Sequence, residues 1–270
     1  MSSIRESLLV QPGSNCKLAG IDPSGTPGCA SKEEGLARFQ KNIDRLSELQ
    51  ELLYIEGKRS ILAVLQGIDA GGKDGTIRNV MSGLNPQGVT VTSFKVPAGI
   101  EKEHDYLWRV HRAMPRKGQI GIFNRSHYED VLIVRVHDLV PVEVWQKRYK
   151  QINHFEEMLV ESGTQILKFF LYISKDEQKE RFQERLKDPS KNWKFSMGDI
   201  EERKHWDEYM QAFETAMEKC STAHAPWYII PANRNWYRNL AVSEILRETM
   251  EDMNLQSPQP IADLDKVTFE

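Results

Sequence analysis

Cysteine is scarce in this chain: three in 270 residues, Cys16, Cys29 and Cys220, far apart and without metal-ligand spacing. That scarcity excludes a small disulfide-stapled scaffold and makes a reducing, cytoplasmic setting the expectation. Long apolar runs are missing too. The only early cluster, Leu8-Leu9-Val10, is far shorter than a signal-peptide core or a membrane span, so neither processing nor membrane attachment is expected. Neither sign of charge dominates. Lys and Arg number 36 against 39 acidic residues, a formal net charge of −3 that removes any general electrostatic case for nucleic-acid binding. The seven histidines, His104, His111, His127, His137, His154, His205 and His224, show no repeated metal spacing and no nucleophile partner, so they are expected to be structural.

What remains is a chain long enough for one large α/β domain. Residues 1–30 are expected to form an irregular arm, because Gln11 to Ala30 is rich in Gly, Pro and Ser. Residues 31–270 are expected to be a single domain. Ser31 with Glu34 is a capping-box pattern, and Leu36, Phe39, Ile43, Leu46 and Leu53 keep one helical face as far as Gly57. Five apolar runs follow, at Ile61–Leu65, Val89–Phe94, Ile120–Phe123, Ile166–Ile173 and Trp227–Ile230, separated by helical patterns. Such alternation predicts a largely parallel sheet with helices on both faces. Pro141 is placed to open one helix, and Ser174 with Glu177 to cap another that Asp188-Pro189 ends. A further helix start is read at Asp199 with Glu202, and its stripe of Trp206, Met210, Phe213 and Met217 is expected to pack in the core.

The strongest chemical signal is Gly67-Ile68-Asp69-Ala70-Gly71-Gly72-Lys73-Asp74, between the first apolar run and a helix. Glycines let backbone N–H groups turn inward, Lys73 adds a positive charge, and the helix N-terminus offers unpaired donors, so a polyphosphate chain is the natural ligand. Gly67, Ala70, Gly71, Gly72, Lys73 and Asp74 are therefore candidate phosphate-binding residues. The loop carries Asp74 where Ser or Thr usually holds magnesium, and a second carboxylate, Asp69, inside it. Asp74 also suits the helix dipole without a metal, whereas Asp69 would repel a phosphate chain unless magnesium lay between them.

The third apolar run gives way abruptly to Asn124-Arg125-Ser126-His127-Tyr128-Glu129-Asp130. Ligands of open α/β sheets bind beyond the carboxyl ends of strands, so Arg125 and Asp69 are expected to share one crevice. A capped strand-to-helix turn explains the same residues without chemistry. Arg181 and Arg185 lie four apart, with Lys187, Lys191 and Lys194 following, which reads either as a solvated basic face or as a lid, over about 187–203, carrying cations to transferring phosphates. Arg109, Arg112, Arg116 and Lys117 make a second basic stretch that fits an extended anion or plain surface equally well.

Together the glycine loop, Phe123 to Glu129, Trp193-Lys194-Phe195, Ala225-Pro226-Trp227-Tyr228 and Trp236-Tyr237-Arg238 resemble the second family of polyphosphate kinases. The resemblance implies a thymidylate-kinase-like, three-layer αβα P-loop kinase fold with a helical lid. It also implies Mg2+-dependent, reversible phosphoryl transfer between inorganic polyphosphate and an adenine nucleotide, here of the group accepting both AMP and ADP. By motif, Asp69, Lys73, Arg125 and Glu129 are then the catalytic candidates. Asp69, Asp74 and Glu129 become metal ligands, Arg125, Arg181 and Arg185 phosphate contacts, and Asn124 and Glu129 nucleotide contacts. A homodimer or homotetramer is implied as well. Read from the residues alone, an ATP-dependent kinase of a nucleotide or other small molecule, or a non-catalytic nucleotide-binding regulatory module, stays open.

Overall fold

In the computed structural model, which describes residues 3–257 less the side chain of Lys194, all five apolar runs become strands. Residues 258–270, which the expected domain included, lie outside the described residues. The strands are β1 (Ser60–Gln66), β2 (Val89–Ser93), β3 (Ile120–Asn124), β4 (Thr164–Tyr172) and β5 (Trp227–Pro231). They form one parallel sheet in the order β2-β3-β1-β4-β5. β1 is buried along its whole length, which is why it reads as a continuous apolar run rather than an alternating one.

The helices are α1 (Ile4–Leu8), α2 (Lys32–Glu56), α3 (Lys73–Val80), α4 (Trp108–Arg112), α5 (Ile133–Val136), α6 (Val142–Glu161), α7 (Lys175–Lys187), α8 (Met197–Glu202), α9 (Trp206–Cys220) and α10 (Asn235–Asp252). Alternate strand residues feed two cores. Ile61, Ala63, Leu65, Leu167, Phe169 and Leu171 pack with residues of α2 and α10 on one face. Leu62, Val64, Ile166, Phe170 and Trp227 pack with residues of α6 and α9 on the other. The result is three layers, helix over sheet over helix.

Local chemistry sets most helix ends. Ser31 accepts from the Glu34 N–H and starts α2, and Gly57, at φ +61°, ends it in the left-handed region that glycine tolerates. Ser174 accepts from Glu177 N–H at the start of α7 in the same way. Pro141 is the residue before α6 rather than its first. The start read at Asp199 lies earlier: Ser196 caps the short α8, a 3-10 turn at Arg203–His205 follows, and α9 begins at Trp206. Phe213 and Met217 of its stripe are buried as expected. Residues 3–30 are largely irregular apart from α1 and a 3-10 turn at Leu18–Gly20, yet Ile4, Leu8, Val10 and Leu18 are buried. Leu9 makes an antiparallel bridge to Tyr228, laying this segment along β5.

One buried cluster is charged. Lys168, in mid-β4, and Glu156, on α6, are both fully buried and meet at 2.5 Å. Tyr128 Oη donates to Glu156 Oε1 at 2.9 Å, His127 Nε2 lies 3.2 Å from the same oxygen, and Lys168 also donates to Cys220 O at 2.7 Å. Lys168 also donates to Tyr128 Oη at 2.9 Å, so both members of the charged pair are hydrogen-bonded and can persist inside a core, although His127 Nδ1 has no partner among the described residues. The cluster also fastens the 3-10 turn His127–Val131, which follows β3, to the α6 layer.

Among the described residues no helix is long and apolar enough to cross a membrane.

Candidate active site

β1 is the centre of the sheet, with β3 on one side and β4 on the other, so the loop leaving its carboxyl end opens at the crevice between them. That loop is Gly67–Gly72. Ala70 (φ +61°) and Gly72 (φ +96°) both take left-handed conformations, the turn that points successive N–H groups inward. Gly72 has a second reason to lack a side chain, since a Cβ there would come within 2.1 Å of Arg238 Nη1. Lys73 opens α3, and its ammonium curls back to donate to Gly67 O at 2.6 Å and Ile68 O at 3.1 Å. Burial is the main cause that lowers its pKa to about 8, with Arg125 adding to the effect.

The β3 end meets this loop. Arg125 N donates to Leu65 O, extending the β1–β3 ladder by one bond, and the residue then adopts φ +62°. From that strained position its Nη2 reaches Asp69 Oδ1 at 2.6 Å. Asn124 donates to Asp74 Oδ1 at 2.8 Å. Glu129, half-buried nearby, has its pKa raised by desolvation against the opposing pull of Arg125 and Lys73. Asp69, Lys73, Asp74, Asn124, Arg125 and Glu129, distant in sequence, thus line one crevice system.

Two cavities flank the Asp69–Arg125 pair. One, about 600 Å3, is lined by the glycine loop, Lys73, Asp74, Asn124, Arg185 and Trp193. The other, about 450 Å3, is lined by Gly67, Glu129, Leu132, Ile133, Trp206 and Phe213 among others. Asp69, Arg125 and Asp199 belong to both. The stripe of α9 therefore does more than fill the core, because Trp206 and Phe213 also wall a cavity.

Of the two arginines expected to contact phosphate, Arg185 lines the first cavity and lies 3.3 Å from Asp199. Arg181 is a brace. It donates to the main-chain oxygens of Ala70 (2.8 Å), Ala232 (2.7 Å) and Asn233 (3.2 Å) and pairs with Glu177 (2.8 Å), tying the glycine loop to the end of β5. It also lines a third cavity, about 460 Å3, behind the loop.

Sequence reasoning missed the part played by two residues. Gln178 donates to Asp69 O at 2.9 Å and accepts from Arg203 at 2.9 Å, joining loop to α7 and to the segment before α9. Among the described residues the guanidinium of Arg238, 3 % exposed, has only the amide oxygens of Asn235 and Asn239 as hydrogen-bond partners, and burial together with Arg181 lowers its pKa to about 10. A buried guanidinium without a carboxylate partner among the described residues, against the back of Gly72, adds positive potential to the loop. Only the Trp236-Tyr237-Arg238 stretch in the resemblance pointed toward it.

A central parallel strand running into a glycine loop and lysine, with an arginine delivered from the neighbouring strand, defines a kinase-like P-loop phosphotransferase. Residues 29–258 match the family model described as Polyphosphate kinase 2 (PPK2), and the chain belongs to that family. It is 56% identical over 262 residues to the AMP/ADP-polyphosphate phosphotransferase of Meiothermus ruber, covering 97% of this chain and 98% of that one. It is 46% identical over 245 residues to the ADP-polyphosphate phosphotransferase of Rhodopseudomonas palustris, covering 86% and 85%. Among solved structures, Polyphosphate Kinase 2 from Arthrobacter aurescens TC1 superposes with a TM-score of 0.95 at 45% identity, covering 98% of this chain and 95% of that one.

Proposed function

We propose that this chain transfers the terminal phosphoryl group of inorganic polyphosphate to AMP and ADP, reversibly and with Mg2+. The observation that carries the proposal is the Asp69–Arg125 pair standing between two cavities, one floored by the phosphate loop and the other walled by aromatic side chains. Polyphosphate takes the loop side, where the inward N–H groups, Lys73 and Arg185 meet an extended anion. The acceptor nucleotide takes the aromatic side, its phosphate toward Arg125 and Glu129.

The chemistry asks little of a base. The acceptor oxygen belongs to a phosphate whose second ionisation falls near pH 6, so it is a nucleophile at neutral pH. Catalysis is positioning and charge stabilisation. Lys73 and Arg125 hold the two phosphates in line. Asn124 keeps the β3 end against α3 through Asp74, and Arg181 holds the loop's shape from behind. The segment at about 187–203 acts as the lid, closing beside Arg185 and excluding water.

The donor set suits Mg2+, a hard cation that takes one or two carboxylates together with substrate phosphates. Among the described residues no three or more His, Cys, Asp or Glu gather into a ready-made cage, so substrate phosphate oxygens would have to complete the ion's shell. Asp69, bonded to Arg125 through Oδ1, would hold the ion together with Asp74 and Glu129. When bound, Mg2+ supplies neutralisation of the phosphate charge that Asp69 would otherwise repel.

We place the enzyme in the cytoplasm, as a homodimer or homotetramer with no nucleic-acid partner. The test supplies AMP or ADP, Mg2+ and long-chain polyphosphate without ATP, and follows formation of the next nucleotide. Turnover only with ATP and another acceptor would overturn the proposal. Arg125→Ala is expected to lower transfer about a hundredfold, the loss of one preorganised charge contact. A wild-type rate in that variant would remove Arg125 from the site.

A further inference from the structure

We propose that Glu202 reads the amino edge of the acceptor's base, making the site selective for 6-aminopurine nucleotides. The inference deepens the proposed function and rests on the aromatic-walled cavity being the acceptor chamber. That cavity carries two kinds of lining, the charged pair Asp69 and Arg125 and the apolar group Leu132, Ile133, Trp206 and Phe213. A nucleotide is divided the same way, into an anionic phosphate and a flat, weakly polar base.

Pocket specificity comes from the few polar groups set among apolar walls, and most here are already committed. Gln178 and Arg203 bond each other and the main-chain oxygens of Asp69 and Lys175. Ser196 caps α8 through Gly198 N, and Asp199 pairs with Arg185. Glu202 differs. Its Oε2 accepts from Tyr209 Oη at 2.7 Å and lies 3.0 Å from His137 Nε2, two contacts from different elements that fix the carboxylate's orientation. Its Oε1 takes no hydrogen bond from the described residues, which leaves one acceptor on a partly exposed carboxylate that lines the cavity beside Trp206, Tyr209 and Phe213. A 6-amino group offers the donor that oxygen needs. A 6-oxo group would set a second acceptor against a carboxylate, and a purine without a 6-substituent would leave Oε1 unmatched.

Glu202 also latches the segment before α9 to His137, so the test must separate base reading from latching. Wild type and Glu202→Gln are compared with polyphosphate and three acceptors: the 5′-monophosphates of adenosine, inosine and purine riboside. Wild type is expected to favour AMP in kcat/KM by about tenfold to a hundredfold, the range of one hydrogen bond to a charged group. Glu202→Gln should bring the three within a few-fold, with the KM for polyphosphate unchanged. A latch alone would lower all three equally and keep their ratio, which overturns the inference. So would a wild type without preference. Calorimetric binding of AMP and IMP covers a variant with low turnover: a retained difference in affinity counts against the proposal, and a lost one supports it. No transfer to any acceptor by wild type would overturn the underlying function, and this reading with it.

Discussion

Lys73→Met is expected to lower phosphoryl transfer about a thousandfold without lowering the melting temperature by more than a few degrees. The first half follows from the position of the ammonium, held inside the glycine loop by Gly67 O and Ile68 O with one of its three donors left to face a ligand. Removing one such preorganised donor costs about a hundredfold to a thousandfold, and a full positive charge goes with it. The second half follows from burial. The folded protein holds Lys73 with a pKa lowered to about 8 from 10.5. Between those values the unfolded chain binds more protons, so stability rises with pH from about 8 to 10.5, and the penalty is fully present below 8. Its size is on the order of 3 kcal/mol. Met removes that penalty and gives up two hydrogen bonds worth about 1 kcal/mol each, so the two nearly cancel.

The same site makes a pH signature in the unmodified protein. A bound polyanion raises the pKa of Lys73, so phosphate affinity should be flat below about pH 8 and weaken above it. Calorimetry with tripolyphosphate from pH 7 to 9.5, beside a melting curve and kcat for Lys73→Met, checks all three. Retention of a tenth of wild-type turnover, or an affinity independent of pH, would show that Lys73 does not meet the transferred group.

The parts of this site legible in the chain were those set by local rules. The glycine loop, the caps at Ser31 and Ser174 and the five apolar runs depend on neighbours a few residues away, or on a strand being buried on both faces. The meeting of Asp69 with Arg125 was legible for a different reason: strand order in an open sheet brings carboxyl ends together. What stayed hidden was set by long-range packing. Arg181 looked like an exposed lid cation, but its guanidinium bonds Ala70 O, 111 residues away in sequence, which no helical spacing encodes. Gln178, four residues after a cap, carried no signal at all. Asp199 with Glu202 satisfies a capping pattern, but Ser196, three residues earlier, makes the bond and starts the short α8, while α9 begins only at Trp206 without a side-chain cap. Two equally good local signals were decided by the arrangement of the chain around the cavity.

Lys168 is the clearest case of a residue unreadable in sequence and decisive in the fold, and it carries the largest stability effect expected here. Glu156→Gln should lower the unfolding free energy by about 3–5 kcal/mol, because it leaves a fully buried ammonium without its counter-charge. In a chain of this size that is a fall of roughly 10 °C in melting temperature. The carboxylate's own pKa is lowered, since Lys168 and His127 outweigh the desolvation that opposes them. Its contribution is therefore complete above its unfolded-state pKa and is lost as pH falls through the lower folded value, so wild type should lose stability in acid more steeply than Glu156→Gln. Glu156→Leu with Lys168→Met removes both charges and should recover only part of the loss, because Tyr128 Oη, His127 Nε2 and Cys220 O lose their partners together. A double-mutant cycle by chemical denaturation should return a coupling of a few kcal/mol; additive costs would show that the pair acts independently. The cluster also reaches the chemistry. Tyr128 and His127 lie between Arg125 and Glu129, and Ser126 is tied from the other side by Gln66 at 3.0 Å. Loosening the α6 anchor should thus lower kcat for every acceptor alike, whereas a stable double variant with full turnover would show that Gln66 and the β1–β3 ladder hold Arg125 in place unaided.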